Sequence, residues 1–424
     1  MLKSISDIIW GPATPMIFAA IGLYFIIKLK FFSPRMLKYV FKNTIGSLKK
    51  TKEKSGLDSF SAMATALGGT IGVGNTVGVA SAVISGGAGA VLWMIIASFF
   101  GMAIKYTEIF LAVKFRTKDG GGAMYYIKNG LKKPILASVF SAVCLIASFG
   151  MGNMAQSNAV SEYMLRSFNT PAYISGILCT AITVYMIYGG INRIGKISAV
   201  TVPVMAVLYI ILGSGILAFN YKNIPSAVSE IFTSAFNFSS ASGGIGGFLL
   251  SSAVRYGFSR GMFSNEAGMG SSPTAHAASN ETIPQKQAVW GVFEVFADTV
   301  AVCGITALAI VSCDVQNQNP AGLVFDVFNV TYGSFGGIFL SVSIVFFALA
   351  SISCWYVYGQ AALDFLCRSK LLTQFYRVTF SVAVYLGAIV SIDAVWNVSD
   401  IFNGIMSFIN LTAIVLLAKH VKGV

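Results

Sequence analysis

Runs of about twenty apolar residues, each long enough to carry a helix across a hydrocarbon core of about 30 Å, recur along this chain. They fall at 11–31, 58–84, 88–113, 135–165, 171–190, 197–219, 241–276, 288–312, 334–365, 374–392 and 394–418. The pattern predicts an all-α polytopic membrane protein with eleven spans. Two of the runs are not uniform. Leu67–Gly78 reads LGGTIGVGNTVG, with Gly68, Gly69, Gly72, Gly74 and Gly78 weakening the helix and Thr70, Asn75 and Thr76 adding polar groups at the same depth. Arg255–His276 carries Gly257, Gly261, Gly268, Gly270 and Pro273, with Ser264, Asn265 and Glu266 at its centre.

Free backbone groups in lipid cost several kcal/mol each, so irregular backbone survives there only where it lines a cavity or is buried in protein. A half-helix also presents unpaired amides or carbonyls and a dipole end, which favour a carboxylate at one terminus and a cation at the other. With the first span set aside, the interrupted spans are the first and sixth of ten. Two five-helix halves that each open with a broken helix are the mark of an inverted repeat with its site at the midplane. The expected division is 1–57 for an extra helix and basic loop, 58–220 for the first half and 221–424 for the second.

Charge gives this pattern an orientation. Lys28, Lys30, Arg35, Lys38, Lys42, Lys49, Lys50, Lys52 and Lys54 follow the first span, and the next loop has no basic residue. Lys114, Arg116, Lys118, Lys128, Lys132 and Lys133 come next, then a loop holding Arg166 alone, and the alternation continues to Lys419 and Lys422. Basic loops face the cytoplasm, so the N-terminus is expected outside and the C-terminus inside, which requires an odd number of spans. The net charge of +13 is therefore topology rather than a nucleic-acid footprint.

Composition agrees, with 55% hydrophobic and 11% charged residues and a mean hydropathy of +0.74. Soluble domains carry roughly a quarter charged residues. The 43 glycines suit helices that pack closely in lipid. Met1–Trp10 does not read as a cleavable leader. The six cysteines lie mostly in apolar runs, without metal spacing, and read as packing residues. A membrane enzyme would need a nucleophile, a metal cluster or paired acids, yet His276 and His420 are the sole histidines and no Cys/His/carboxylate group has ligand spacing. A channel needs a continuous polar pore, and these spans are too apolar for one.

Several stretches resemble the alanine or glycine:cation (sodium:alanine) symporter family: ALGGTIGVGNTVGVASA at 66–82, GGAMYYIKNGL at 121–131, GNMAQSNAV at 152–160 and, most specifically, RGMFSNEAGMGSSPTAHAAS at 260–279. The resemblance runs nearly the whole chain in order. It implies the leucine-transporter-type fold and cation-driven uptake of a small neutral amino acid by a monomer in a prokaryotic plasma membrane, with no cofactor beyond the coupling ion. That ion is expected to be Na⁺, with H⁺ coupling to another small zwitterion as the alternative.

The substrate carboxylate is then expected near Gly72, Gly74 and Asn75, and its ammonium near Phe263, Ser264, Asn265, Glu266 and Gly268. Gln156 and Asn153 are candidate side-chain contacts, while Trp355 and Phe263 are candidate pocket walls. Na⁺ is expected at Thr70, Ile71 and Gly74 of the first break together with Ser351. Three positions depart from the family pattern: Val73 stands for a hydroxyl residue, Ala123 for a proline, and Ala350-Ser351 for two adjacent hydroxyl residues. Glu266 could ligate a cation, meet the ammonium or pair with Arg260. Lys105 with Glu108 (i, i+3) and Glu294 with Asp298 (i, i+4) each share a helix face and read as gating or structural pairs near the cytoplasmic side.

Overall fold

The computed structural model describes residues 2–11, 13–47, 57–236, 252–313, 315–390 and 392–424. Lys49, Lys50, Lys52 and Lys54, and the opening of the seventh predicted span at 241–251, lie outside the described residues. The described chain is helical throughout, apart from the isolated bridges Leu57–Ser279 and Thr117–Gly120.

In chain order the main helices are α1 (Leu2–Ile9), α2 (Ala13–Leu29), α3 (Pro34–Asn43), α4 (Ser59–Thr70), α5 (Val77–Gly86) and α6 (Gly89–Lys114). Then come α7 (Pro134–Phe168), α8 (Ala172–Ile187), α9 (Gly190–Phe219), α10 (Ile224–Ala235), α11 (Ser252–Asn265) and α12 (Pro273–Ala277). The chain closes with α13 (Pro284–Ser312), α14 (Pro320–Tyr332), α15 (Ser334–Leu366), α16 (Lys370–Ile389) and α17 (Ile392–Leu416). Among the described residues six of these helices hold a stretch long and apolar enough to cross a bilayer, and two bent pairs raise the number to eight.

Local sequence sets the helix ends. Asp58 caps α4 by accepting the Ser61 amide at 2.6 Å, and Asn319 caps α14 through the Gly322 amide at 2.7 Å. Proline stands in the first turn of α3, α7, α12, α13 and α14, where its missing N–H and fixed φ do no harm. The basic stretch expected as a loop after the first span contains α3. Ser33 accepts the Met36 amide at its start, and the chain turns 94° from α2 to reach it.

Burial is inverted relative to a soluble domain. Ile135, Val200 and Leu371 are among many large apolar side chains left exposed, while Lys105, Glu108, Glu266, His276, Glu294 and Asp298 are all 0% exposed. Lipid replaces water as the outer solvent, so polar groups gather where protein can pair them. The centre is α6, packed against α11 and α13.

Glycine permits the closest approaches. A Cβ at Gly257 would stand 2.5 Å from the Ala90 carbonyl oxygen, and one at Gly152 would stand 1.9 Å from Trp355 Cγ. This narrows the predicted second interruption, which spread over Arg255–His276 and counted Gly257 and Gly261 among its breaking residues. Helix α11 runs unbroken through Gly257 and Gly261 to Asn265, these two glycines serving contact with α6, and the break begins at Glu266. The first interruption falls where expected, with a 57° bend after Thr70 and a 3₁₀ turn at Val73–Asn75.

Candidate substrate and ion site

The two breaks meet at one carboxylate. Helix α4 ends as the Ile71 amide bonds Leu67 O at 2.7 Å, and the Gly72 and Val73 amides that follow turn to side chains. Asn75 Oδ1 accepts the Gly72 amide at 2.8 Å, and Gln156 Oε1 accepts the Val73 amide at 3.2 Å. The Asn75 side-chain amide then donates across the centre to Asp298 Oδ1 at 2.7 Å, with Ser264 Oγ 3.3 Å away. Ser264, at the end of α11, donates to Asp298 Oδ2 at 2.8 Å, as does Thr299. Asn265 donates to Thr299 Oγ1 at 3.0 Å and accepts the Ala267 amide at 3.0 Å, capping the second break. Burying a carboxylate is tolerable when several donors converge on it, and here they come from both broken helices.

Asp298 was read from sequence as a partner of Glu294 on one helix face. Its segment, Phe296–Cys303, is a π-helical turn. That wider turn shifts the register, so residues four apart no longer stack, and Asp298 faces the breaks while Glu294 faces Lys105.

Of the residues expected to hold Na⁺, Ser351 lies against the first break. Its hydroxyl donates to Gly68 O at 2.9 Å and stands 3.5 Å from Ile71 O, so the hydroxyl and two carbonyls of the first break converge. Gly68 was read from the sequence as a helix-weakening glycine and not as an ion ligand, because a carbonyl carries no side-chain signature. The Thr70 hydroxyl is turned back onto Leu67 O of its own helix, which leaves only its carbonyl for an ion. A Cβ at Gly72 would fall 2.5 Å from Ser351 Oγ and 3.0 Å from Gln156 Oε1, so only glycine fits there. Gly74 lies against Ser264, where a Cβ would keep ordinary contact at 3.5 Å.

The side-chain contacts divide. Gln156 touches the first break, whereas Asn153 donates to Phe380 O at 2.8 Å and acts as an interhelical tie. Phe263 is stacked on Trp396 at 5.5 Å, with the Arg260 guanidinium over both rings. Trp355 is fully buried behind Gly152 and edge-on to Tyr358, so it and Phe263 pack in separate places.

Arg260 Nη1 stands 3.8 Å from Asp400 rather than beside Glu266, which removes the Arg260–Glu266 pairing. Glu266 adopts a left-handed φ of 54° and accepts from Ser271 at 2.6 Å. Gly268 (φ 84°) turns its carbonyl to Asn410 at 2.8 Å. The supposed Lys105–Glu108 pair also separates, Lys105 reaching Glu294 at 3.1 Å.

Interrupted helices facing each other across a buried polar centre, inside an apolar helical shell, define a multi-pass membrane transporter. The sodium:alanine symporter family matches residues 1–424, and the chain belongs to that family. It is 36% identical to the sodium/alanine symporter AgcS of Methanococcus maripaludis, covering 99% of this chain and 94% of that one. It is 33% identical to a Bacillus subtilis protein named "Probable sodium/glutamine symporter GlnT", over 98% and 87% of the two chains. Its fold is that of MhsT, solved with L-phenylalanine, at a TM-score of 0.63 and 15% identity over 86% of this chain and 90% of that one. The protein is thus a cation-coupled amino-acid transporter and not an enzyme.

Proposed function

We propose that the protein couples inward Na⁺ flow to uptake of a small neutral amino acid, alanine or glycine, across a prokaryotic plasma membrane by alternating access. The observation that carries this reading is the Asp298 carboxylate joined to Asn75 of the first break and Ser264 of the second. A solute bound between the breaks feels both helices at once, so its arrival can change how one half sits on the other.

In this reading eleven spans place the N-terminus outside, and the halves 58–220 and 221–424 follow the extra segment 1–57. The substrate carboxylate takes over the Gly72 and Val73 amides now held by Asn75 and Gln156. Its ammonium lies toward the end of α11. Na⁺ sits between Gly68 O, Ile71 O and Ser351 Oγ, whose convergence supports the placement; a bound Na⁺ requires the Ser351 O–H to turn away. Glutamine transport is a second reading, favoured by the relative named for it.

The test is counterflow of labelled alanine, glycine and glutamine in vesicles holding the purified chain, with and without a Na⁺ gradient. Na⁺-dependent accumulation of alanine or glycine is expected. Ion conduction without solute movement would overturn symport.

A further inference from the structure

Behind the second break lies a group of charged side chains, of which Glu266 alone was expected to meet the substrate. Lys105 Nζ stands 3.1 Å from Glu294 Oε1 and donates to Ser272 Oγ at 2.5 Å. Glu294 Oε2 meets His276 Nε2 at 2.8 Å. Gln287 Nε2 stands 2.9 Å from His276 Nδ1 and 3.4 Å from the Ser59 carbonyl oxygen. Lys105 and Glu294 form one balanced pair.

Two carboxyls are left over. Glu108 Oε1 accepts from Asn410 and from the Gly270 amide at 3.0 Å, while Glu108 Oε2 has no partner. Glu266 Oε2 accepts from Ser271, while Glu266 Oε1 has none. Both residues are 0% exposed, and both lie within electrostatic range of the already paired Lys105. The Trp355 indole N–H, also fully buried, is turned toward Glu266 without a partner at hydrogen-bond distance.

Two unbalanced carboxylates in such a place cost several kcal/mol each. The cost disappears when each binds a proton at its free oxygen. A metal cation fits less well, because the Lys105 ammonium already occupies the middle of the group.

We propose that Glu266 and Glu108 form a buried proton-binding site beside the second break, loaded and unloaded as the transporter turns over. The titratable groups that face them are Lys105 on α6, Glu294 on α13, and Cys354 and Tyr358 on α15, with His276 on α12 bonded to Glu294 and Asp298 on α13 close to Glu294. Tyr126 bonds Asn410 on the Glu108 side, and Cys144 lies near Glu266. Loading adds one proton from water to one carboxylate, and unloading returns it, so no further reactant is needed. The proposal rests on the transport reading for its link to turnover, but not for the proton site itself.

Two measurements on the full-length protein test it. Infrared spectra in detergent should show a protonated, buried carboxylic-acid C=O stretch that weakens in Glu108→Gln and again in Glu266→Gln. No such band in the wild type at any pH where the protein is folded would overturn the site. In vesicles loaded with a pH-indicator dye, labelled alanine or glycine uptake should be accompanied by proton movement, and Glu108→Gln should lower the number of protons moved per solute. Solute uptake without proton movement in the wild type would overturn the coupling and leave symport standing. Absence of solute uptake with the infrared band present would count against the transport reading alone.

Discussion

At the first break the backbone amides freed by Gly72 and Val73 are closed by two neutral amide side chains, Asn75 and Gln156. At the second, the chain turns through left-handed Glu266, Gly268 and Gly270 and is held by charged groups, with Lys105, Glu108, Glu294 and His276 gathered behind it. Among the described residues the side chains at the first break, Thr70, Asn75, Thr76 and Gln156, have no unpartnered polar atom, and the second has carboxylate oxygens to spare. A neutral break can exchange its side-chain partners for a solute carboxylate at small cost, because hydrogen bonds are swapped rather than lost. A charged break resists displacement and responds instead to cations and protons. In the proposed reading, solute and Na⁺ are recognised at the first break, and proton sensitivity belongs to the surroundings of the second.

The largest expected effect strikes the second break. Glu294→Gln leaves Lys105 buried without its counter-charge, and removing one partner of a buried pair costs about 3–5 kcal/mol. Thermal unfolding in detergent should show a marked drop in Tm, and an unchanged Tm would mean that Lys105 finds another partner. Next is Asn75→Ala, which removes the bridge between Gly72 and Asp298. Losing a hydrogen bond to a charged group costs about 1.5–3 kcal/mol, or on the order of tenfold to a hundredfold in affinity. Labelled-solute binding should weaken by that much while the protein still folds, and normal binding would remove the first break from the site.

Trp355→Phe comes third. The indole lies against the Gly152 backbone, so the smaller ring opens space on that wall at about 1–3 kcal/mol of stability. Bulkier amino acids should then compete for uptake, and unchanged selectivity would move the size limit to the Phe263–Trp396 stack. The smallest effect is expected for Ala350→Ser, which returns a hydroxyl beside Ser351. One added ligand contributes about 1 kcal/mol, so the Na⁺ activation curve should shift severalfold to lower concentration. An unshifted curve would remove Ala350 from the ion site.

The helical membrane architecture and the first interruption were legible because apolar run length and glycine placement are local properties. The second break was located several residues early. Gly257 and Gly261 look like breaks in a sequence, yet they are contact points under α6, and only the neighbouring helix distinguishes the two uses. Gln156 was legible as a polar residue on an apolar span, and Ser351 only through the family resemblance. Asn153, equally polar, proved to bond a carbonyl on another helix, because its side chain leaves the helix on a different face from Gln156.

What the sequence determined by itself was the solvent, the helical class and the depth of the polar interruptions, since these follow from where apolar residues run on and where glycine and polar residues stop them. The family resemblance added what such runs carry. Tertiary structure alone decided that Asp298 joins the two breaks while Glu294 turns to Lys105, because a π-helical turn shifts their register. It alone brought the carbonyls of Gly68 and Ile71 to Ser351, since every residue has a carbonyl and only packing selects which ones converge. It also left Glu108 and Glu266 without counter-charges, a property of how α6, α13 and the second break fit together rather than of any spacing along the chain.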